Sequence, residues 1–461
     1  MKYDRRSTIY DWRWLIVGGF LSITPVLAVH GQEQPTPAVL SLADAIELAR
    51  QYNPQYRQAI NRLDGAAAQV RSGFGQFLPR LDIGANFNGA TSKTVTGQND
   101  AGEPIRLPEP VEFRSSSASQ SISASWEVFN GLGNINNYRS TKASQVSAEA
   151  SADATAWSVE AETTRRFYEV LRAIRQLELE QDLLEQQEAR LDRTERLFAV
   201  STSQTQEDVL GARADAATQQ VQVEVAGGDL AKTKLALREQ IGIETHFEFD
   251  VVGALPALFD PMLLDASALV EVAMTVSPDV QSLDASANAA SARASSTRGA
   301  RWPSVRLNAG YTRSVSLGSF DALTEFNPQN SAFSFGLGIN WSLFTGFQTT
   351  AQVTQADVDA RNAGESLREG RLRIERSVRS ALIDVQNASR SLASAQISAD
   401  LNRERVRLAE ERYAIGAVQF ATLQQYVGTS AQADRTLITA RFRFASSVVN
   451  MDQAVGERVR P

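Results

Sequence analysis

The sequence contains no cysteine and only two histidines, His30 and His246. The lack of cysteine excludes disulfide bonds, thiolate metal sites and a lipid-modified cysteine behind a leader segment. Because His30 falls in the leader described below, histidine-based catalytic triads and multi-histidine metal sites cannot be assembled from the mature chain. The acidic residues are scattered along helical stretches, where they are typical of solvated faces. We therefore predict no enzyme activity, no metal and no cofactor.

Long apolar runs and blocks of like charge are also missing. The net charge of −7 is spread along the chain without a basic block, which argues against a nucleic acid as partner. The apolar run at residues 15–29 follows several basic residues and is interrupted by Thr24 and Pro25. It is too short and too broken to span a bilayer and is typical of a secretory signal, although an N-terminal anchor helix is the alternative. We predict a signal peptide at residues 1–31.

The remaining chain repeats itself. Four matches occur in order, with offsets of 224, 224, 215 and 215 residues: Asn53-Pro54 with Ser277-Pro278, Pro79 with Pro303, Trp126 with Trp341, and Ala199 with Ala414. Chance is a poor explanation for four ordered matches. We predict one repeat at residues 32–243, a linker or equatorial segment at 244–264, and a second repeat at 265–461.

Each repeat contains two segments with strict alternation of apolar and small polar residues. In the last one, Phe335, Leu337 and Ile339 alternate with Gly336 and Gly338. Segments of about 9–11 residues with one apolar face, a small polar face and aromatic residues near their ends are typical of transmembrane β-barrels. The predicted aromatic girdle consists of Trp126, Phe129, Trp341 and Phe344. A soluble β-sandwich, which also has one apolar face per strand, is the alternative.

Very long helices complete each repeat. Residues 134–210 contain neither proline nor glycine, and the hydroxyl-rich residues 201–203 divide them, which predicts a first helix of about 65 residues and about 100 Å. Leu177, Leu184 and Leu191 recur every seven residues, as in a coiled coil.

The second long helix is predicted at residues 347–415, which contain no proline. The opening helix of the first repeat is predicted to begin at Ser41, with Asp44 as its capping-box-like partner, and to run unbroken over residues 42–76. This and the remaining helical stretches are about half as long as the long helices, so we expect two of them to stack end to end beside each long helix. The predicted fold is mainly α-helical with a transmembrane β-barrel part.

Four strands per chain are too few for a barrel, since the smallest transmembrane barrels have about eight. Open sheet edges are forbidden in lipid because their amides would lack hydrogen bonds. The chain must therefore oligomerise, and two, three or four copies would supply eight, twelve or sixteen strands.

Several motifs resemble the TolC family of outer-membrane efflux and secretion channels. They are the helix start "LADAIELARQYNP", the corners "FLPRLDIGANF" and "RWPSVRLNAGY", the strand ends "WEVFNG" and "WSLFTG", and the turn "RYAIGA". The resemblance implies a homotrimer in the outer membrane, with a 12-strand barrel and a helical periplasmic tunnel. It also implies a periplasmic adaptor and an inner-membrane transporter of the RND or ABC class as partners, and small molecules or proteins as cargo. A periplasmic coiled-coil scaffold or adaptor without a barrel is the alternative.

The resemblance also implies roles for residues near the ends of the helical hairpins. The adaptor-docking tips are implied at Val200, Ser201, Thr202, Ser203, Ile415, Gly416, Ala417 and Val418. Family members often carry a pore-facing acidic ring where this chain has Thr422 and Gln425. A tyrosine and an acidic residue that hold the family's gate shut match Tyr413 and Glu207. We therefore expect a gate at these four residues that lacks the acidic ring.

Overall fold

The computed structural model describes residues 39–98, 100, 102–200, 205–244, 249–319, 327–328 and 330–459. The signal peptide predicted at residues 1–31 lies outside this part of the chain. The described residues form the same series of elements twice: a pair of helices, two strands, a very long helix and a shorter helix.

The bounds of the elements follow the predicted order. The first series comprises α1 (Leu42–Tyr52), α2 (Pro54–Gly75), β2 (Arg80–Gln98), β3 (Pro104–Asn130), α3 (Gly133–Val200) and α4 (Gln206–Ile241). The second comprises α5 (Ala266–Val276), α6 (Pro278–Arg298), β5 (Ser304–Leu317), β6 (Asn330–Asn340), α7 (Gln348–Ala414) and α8 (Phe420–Val455). Two short strands, β1 (Val39–Leu40) and β4 (Asp250–Val251), form a separate parallel pair that sequence analysis did not predict. Single 3₁₀ turns lie at Pro261–Leu263 and Gly299–Arg301.

The opening helix begins where predicted, but it is not continuous. Ser41 caps α1 in a capping box with Asp44. The chain then leaves the helical region at Asn53, with ψ of 123°, and resumes at Pro54. The second series breaks in the same way at Ser277 before Pro278. The residue before a proline is sterically excluded from the helical conformation, so the expectation of one unbroken opening helix was wrong at both sites.

The end of α4 packs against the first of these breaks, and the end of α8 against the second. Gly242 terminates α4 with φ of +85°, and a Cβ on it would lie 2.4 Å from the carbonyl oxygen of Tyr52. Gly456 terminates α8 with φ of +91°, and its Cβ would lie 2.7 Å from the Cα of Ser277. Only glycine combines this backbone conformation with such close contact. Both junctions therefore hold the shorter helices in line.

The helices pack as the length arithmetic predicted. The long helix α3, with 68 residues and a length of about 100 Å, contacts α4 on one half and α1 and α2 on the other. The long helix α7, with 67 residues, contacts α8, α5 and α6 in the same manner. Helix α8 also packs on α3, and its Phe442, Ala445 and Val449 lie in the apolar core of the first series. The two halves of the chain therefore share one helical body.

The strands form one antiparallel sheet in the order β2-β3-β5-β6. Strands β2 and β3, with 19 and 27 residues, extend well beyond the predicted segments. Strand β6 ends at Asn340, which pairs with Ser304, the first residue of β5. Trp341 and Leu343, which continue the alternation in sequence, therefore lie beyond the strand because no partner continues beside them. Within this sheet both outer strands present an unpaired edge.

Candidate functional site: the sheet faces and the hairpin tips

The strand register assembles the predicted apolar residues on a single face. Directly paired residues in an antiparallel sheet point to the same side. The register aligns Leu81, Ala124, Ala309 and Phe335 in one row across all four strands. The next row contains Ile83, Ile122, Tyr311 and Phe333. Phe335 and Ile83 are each 84% exposed, so no described part of the chain covers these two rows.

The opposite face is polar and carries an ion pair. Its rows combine serine, asparagine and glycine, for example Ser123 with Gly310 and Ser334. Nearer the helices, Arg306 contacts Glu127 at 3.1 Å across paired strands. A sheet with one apolar face and one polar face is suited to a position between lipid and an aqueous lumen.

The aromatic residues of the predicted girdle lie at the helix-side end of the sheet. A β-bulge at Val128 shifts the register, so that Phe129 pairs with Val305 on the apolar face. The indole Nε1 of Trp126 donates to the Phe77 carbonyl at 3.0 Å. The indole of Trp341 donates to the Arg301 carbonyl at 3.3 Å. Phe344 follows the strand and is 77% exposed. Phe77 and Arg301 occupy equivalent positions in the two repeats. Each tryptophan is therefore anchored to the corresponding carbonyl of the helix-to-strand corner in its own repeat.

The far ends of the long helices form the two predicted tips. In the second, Ile415 is the C-cap of α7, Gly416 adopts φ of +74°, and Ala417 donates its amide to the Arg412 carbonyl at 2.9 Å. Val418 continues this exposed turn. In the first, Val200 is the last residue of α3, whereas Ser201, Thr202 and Ser203 lie outside the described residues. Their role in docking an adaptor stays a prediction.

The four gate candidates lie close to these tips in sequence and structure. Thr422 and Gln425 are one turn apart on α8, on the side opposite to Leu423 and Val427, which are buried against α7. Thr422 is half-buried and Gln425 is exposed. The side of α8 that faces away from Leu423 and Val427 therefore carries a hydroxyl and an amide at the positions where members of the TolC family often carry carboxylates.

The other two candidates come from different hairpins. Tyr413 lies in the last turn of α7 and packs against Phe420, with ring centroids 6.0 Å apart. Glu207 is exposed in the first turn of α4, beside the capping box formed by Thr205 and Asp208. Bonding between Tyr413 and Glu207 stays a prediction.

A charged cleft separates the two helical hairpins above the tips. Arg190 of α3 contacts Glu410 of α7 at 3.1 Å, and Arg403 of α7 pairs with Asp434 of α8. The cleft has a volume of about 530 Å³ and is lined almost entirely by α3, α7 and α8. The Arg190–Glu410 pair joins the two hairpins near the tips, whereas the Arg403–Asp434 pair joins the two helices of the second hairpin.

Sequence analysis missed a buried ion pair that links the two repeats. Glu180 of α3 is only 2% exposed. Arg435 of α8 approaches it through Nε at 2.8 Å and Nη2 at 2.6 Å, and Gln219 of α4 donates to it at 2.8 Å. Burial disfavours the charged carboxylate, but hydrogen bonds from Arg435 and Gln219 and the Arg435 charge outweigh it and lower the pKa of Glu180. The partners are 255 residues apart in sequence, so no local pattern could have shown the pair.

The described part of the chain contains no group of three or more His, Asp or Glu residues that could hold a metal ion. None of the helices described here is long and apolar enough to cross a bilayer.

Solved structures share this fold along nearly the whole chain. The crystal structure of CusC, a protein that forms a transmembrane channel, matches 90% of this chain and 92% of its own with a TM-score of 0.73 and 18% identity. The CmeC outer membrane channel of Campylobacter jejuni matches over 91% and 87% with a TM-score of 0.73 and 18% identity. The outer membrane protein VceC of Vibrio cholerae matches over 90% and 96% with a TM-score of 0.70 and 18% identity. At 18% sequence identity, the similarity to these structures establishes the fold of the chain alone.

The match of the amino-acid sequence to a family model identifies the family of the chain. No curated protein matches the chain significantly. The family model of the outer membrane efflux proteins matches residues 45–243 and 269–457, which together span most of the chain and both series of elements. The resemblance to the TolC channels is thereby confirmed, and with it the location in the outer membrane. The chain belongs to the outer membrane efflux protein family and is an exit duct of efflux pumps.

Proposed function

We propose that three copies of the chain close their sheets into one barrel of twelve strands, which opens into a tunnel formed by the helices. The observation that supports this most strongly is a four-stranded sheet that has two unpaired edges and one largely apolar face, which the row of Gln120, Arg313 and Ser331 interrupts. In lipid, each edge needs a partner strand. Because the number of strands per chain is even, β6 of one copy runs antiparallel to β2 of the next, as in known transmembrane barrels.

The helical body would extend this barrel into the periplasm. Helices of about 100 Å exceed the needs of any globular core and suit a duct that bridges a compartment. The tips at Val200 and Ile415–Val418 would meet a periplasmic adaptor, which joins the duct to an inner-membrane transporter of the RND or ABC class. The cargo would be small molecules or proteins that pass through the lumen without chemical change.

The behaviour of the protein in membranes separates this function from that of a periplasmic coiled-coil scaffold. The full-length chain, expressed in a Gram-negative host, should appear in the outer-membrane fraction as an oligomer that only heating dissociates in detergent. A barrel closed by strands of several copies resists detergent because its amides have no other partners. A soluble periplasmic protein that migrates identically before and after heating would support the scaffold instead.

The resting gate would depend on the pairing of Tyr413 with Glu207 rather than on bound cations. A hydrogen bond to a charged group contributes about 1.5–3 kcal/mol. Combining Tyr413→Phe with Glu207→Gln should therefore raise single-channel conductance in a planar bilayer. Unchanged conductance in the double variant would show that this pair does not hold the gate closed.

Introducing the acidic ring that this chain lacks offers a complementary test at Thr422. Three carboxylates at one level of a narrow pore focus negative potential and bind cations, whereas hydroxyls do not. Thr422→Asp should introduce block by divalent cations that the parent channel lacks, and Thr422→Asn is the uncharged control. If micromolar divalent cations already block the parent, another residue forms the ring.

A further inference from the structure

The first strand pair continues far beyond the rest of the sheet. The last pairing between β3 and β5 joins Ser116 to Leu317, and Ser116 also pairs with Gly89 on β2. Strand β2 runs on for nine residues, to Gln98, with only β3 beside it. At about 3.4 Å per residue this hairpin extension reaches about 30 Å past the four-stranded sheet, on the side away from the helices.

The two faces of the sheet exchange their character in the part of this extension formed by residues 91–94 and their partners 111–114. The face that is apolar in the sheet continues as Thr91 paired with Arg114 and Lys93 paired with Glu112. Glu112 forms ion pairs there with Arg114 at 3.0 Å and Lys93 at 3.7 Å. The face that is polar in the sheet continues instead as Ser92 paired with Phe113 and Thr94 paired with Val111.

The reversal places apolar groups on the side that faces the axis of the barrel. Phe113 is 58% exposed and Val111 is 41% exposed within a single chain. Outside the membrane, a hairpin has no reason to show charged groups outward and a phenyl ring inward unless another apolar surface covers the ring. Charges on the outward face exclude lipid as the cover for this part of the chain.

We propose that the three hairpin extensions lean over the outer mouth of the barrel and pack Phe113 and Val111 against their counterparts in the other two copies. This inference rests on the proposed trimer. Twelve strands about 4.8 Å apart and tilted by about 40° close at a radius of about 12 Å. Phe113 and Val111 lie three and five residues past Ser116, about 10 and 17 Å along the strand, so hairpins that lean inward from the end of the sheet bring these side chains to the axis. The partner is thus a second copy of this chain, and the contact forms an apolar constriction at the exit.

A break in the strand ladder lies beyond Val111 and bends the tip of the hairpin. Thr94 pairs with Val111, but Thr96 pairs with Arg106, so residues 107–110 bulge out of β3. Two of these residues are Pro108 and Pro110, which cannot donate to the ladder. Bulges bend the strand pair and increase its twist. An apolar ring of this kind would resist ions by dewetting, so the exit would hold back water-borne solutes until cargo parts the hairpins.

The absence of cysteine allows a direct test in the full-length trimer. A single Phe113→Cys change should let a short bismaleimide join neighbouring subunits, linking up to about two-thirds of the chains in pairs because one thiol of three stays free. The matched control is Arg114→Cys, on the next residue and the opposite face, which should stay unlinked. Both variants are first confirmed as trimers by their size in detergent.

Each outcome is decisive. Linking at Phe113 alone supports the constriction, whereas a trimer that links at neither position, or equally at both, overturns it and leaves the proposed channel intact. If the parent protein is not trimeric, the proposed function fails and the constriction with it. As a second readout, Phe113→Ser added to the Tyr413→Phe and Glu207→Gln double variant, whose resting gate is released, should raise its single-channel conductance about twofold by wetting the exit, and Arg114→Ser in the same background should leave it unchanged.

Discussion

An arginine in place of Leu337 is expected to prevent the barrel from inserting. Leu337 pairs with Leu307 in the middle of the apolar face and is 62% exposed within one chain. In the proposed trimer that exposed surface would meet lipid hydrocarbon. An arginine on the lipid face near the bilayer midplane costs about 2–4 kcal/mol, and the change occurs in all three copies of one assembly. Folding into lipid vesicles, followed across a denaturant series, measures the loss.

The adjacent residue provides the matched control. Gly338 pairs with Arg306 on the polar face, next to the Arg306–Glu127 ion pair. A Cβ on Gly338 would come no closer than 3.9 Å to any other atom, so a longer side chain has room to extend into the lumen. The barrel of the Gly338→Arg variant should therefore insert normally, and the selectivity of its conductance should shift towards anions. Equal insertion defects in Leu337→Arg and Gly338→Arg would mean that the two faces are assigned the wrong way round.

The second large effect is expected at the buried ion pair between the repeats. Arg435→Met removes the bidentate partner of Glu180, whose side chain is only 3% exposed. An uncompensated buried carboxylate destabilises a protein by about 3–5 kcal/mol. Glu180→Leu combined with Arg435→Met removes both charges and should restore most of this loss, because apolar replacements of a buried pair are often neutral. Denaturant unfolding of the helical part, followed by circular dichroism, measures both variants.

The pH dependence of the same pair has a definite sign. The pKa of Glu180 is lowered from the ordinary value of 4.5 in the folded protein. The stability that the pair contributes is therefore present above pH 4.5 and is lost as the pH falls through the lowered pKa. The deficit of Arg435→Met relative to the parent should shrink over that acidic range. Arg407→Met, which removes an exposed partner of Glu404 and Glu411, should leave stability nearly unchanged at every pH.

Local periodicity predicted the strands and long helices because their period is fixed by backbone geometry. The alternation around Leu337 gave the correct apolar face for all four strands, since pairing keeps each row on one side. The proline-free stretches gave helix lengths within a few residues of α3 and α7. The capping box at Ser41 and Asp44 located the start of α1 because its hydrogen bonds involve only neighbouring residues.

Features that depend on contacts between residues far apart in the chain could not be predicted from the sequence. The pairing of Glu180 with Arg435 requires the register of α3 against α8, which no local pattern encodes. The reversal of the faces at Phe113 became visible only through its pairing with Ser92. The breaks at Pro54 and Pro278 carried a local signal, which the length arithmetic overlooked. Tyr413 and Glu207 come from different hairpins, so the proposed bond between them depends on how the hairpins are arranged, which no local pattern encodes.

The closure of the barrel between subunits is tested most directly by the number of chains in one particle. The mature protein, purified in detergent and treated with a lysine- and carboxylate-reactive cross-linker, should give a ladder of bands that stops at three. Three copies of a four-stranded sheet leave no unpaired edge, so a fourth chain has nowhere to join. A stable folded monomer, or a ladder that ends at two or four chains, would contradict the twelve-stranded barrel.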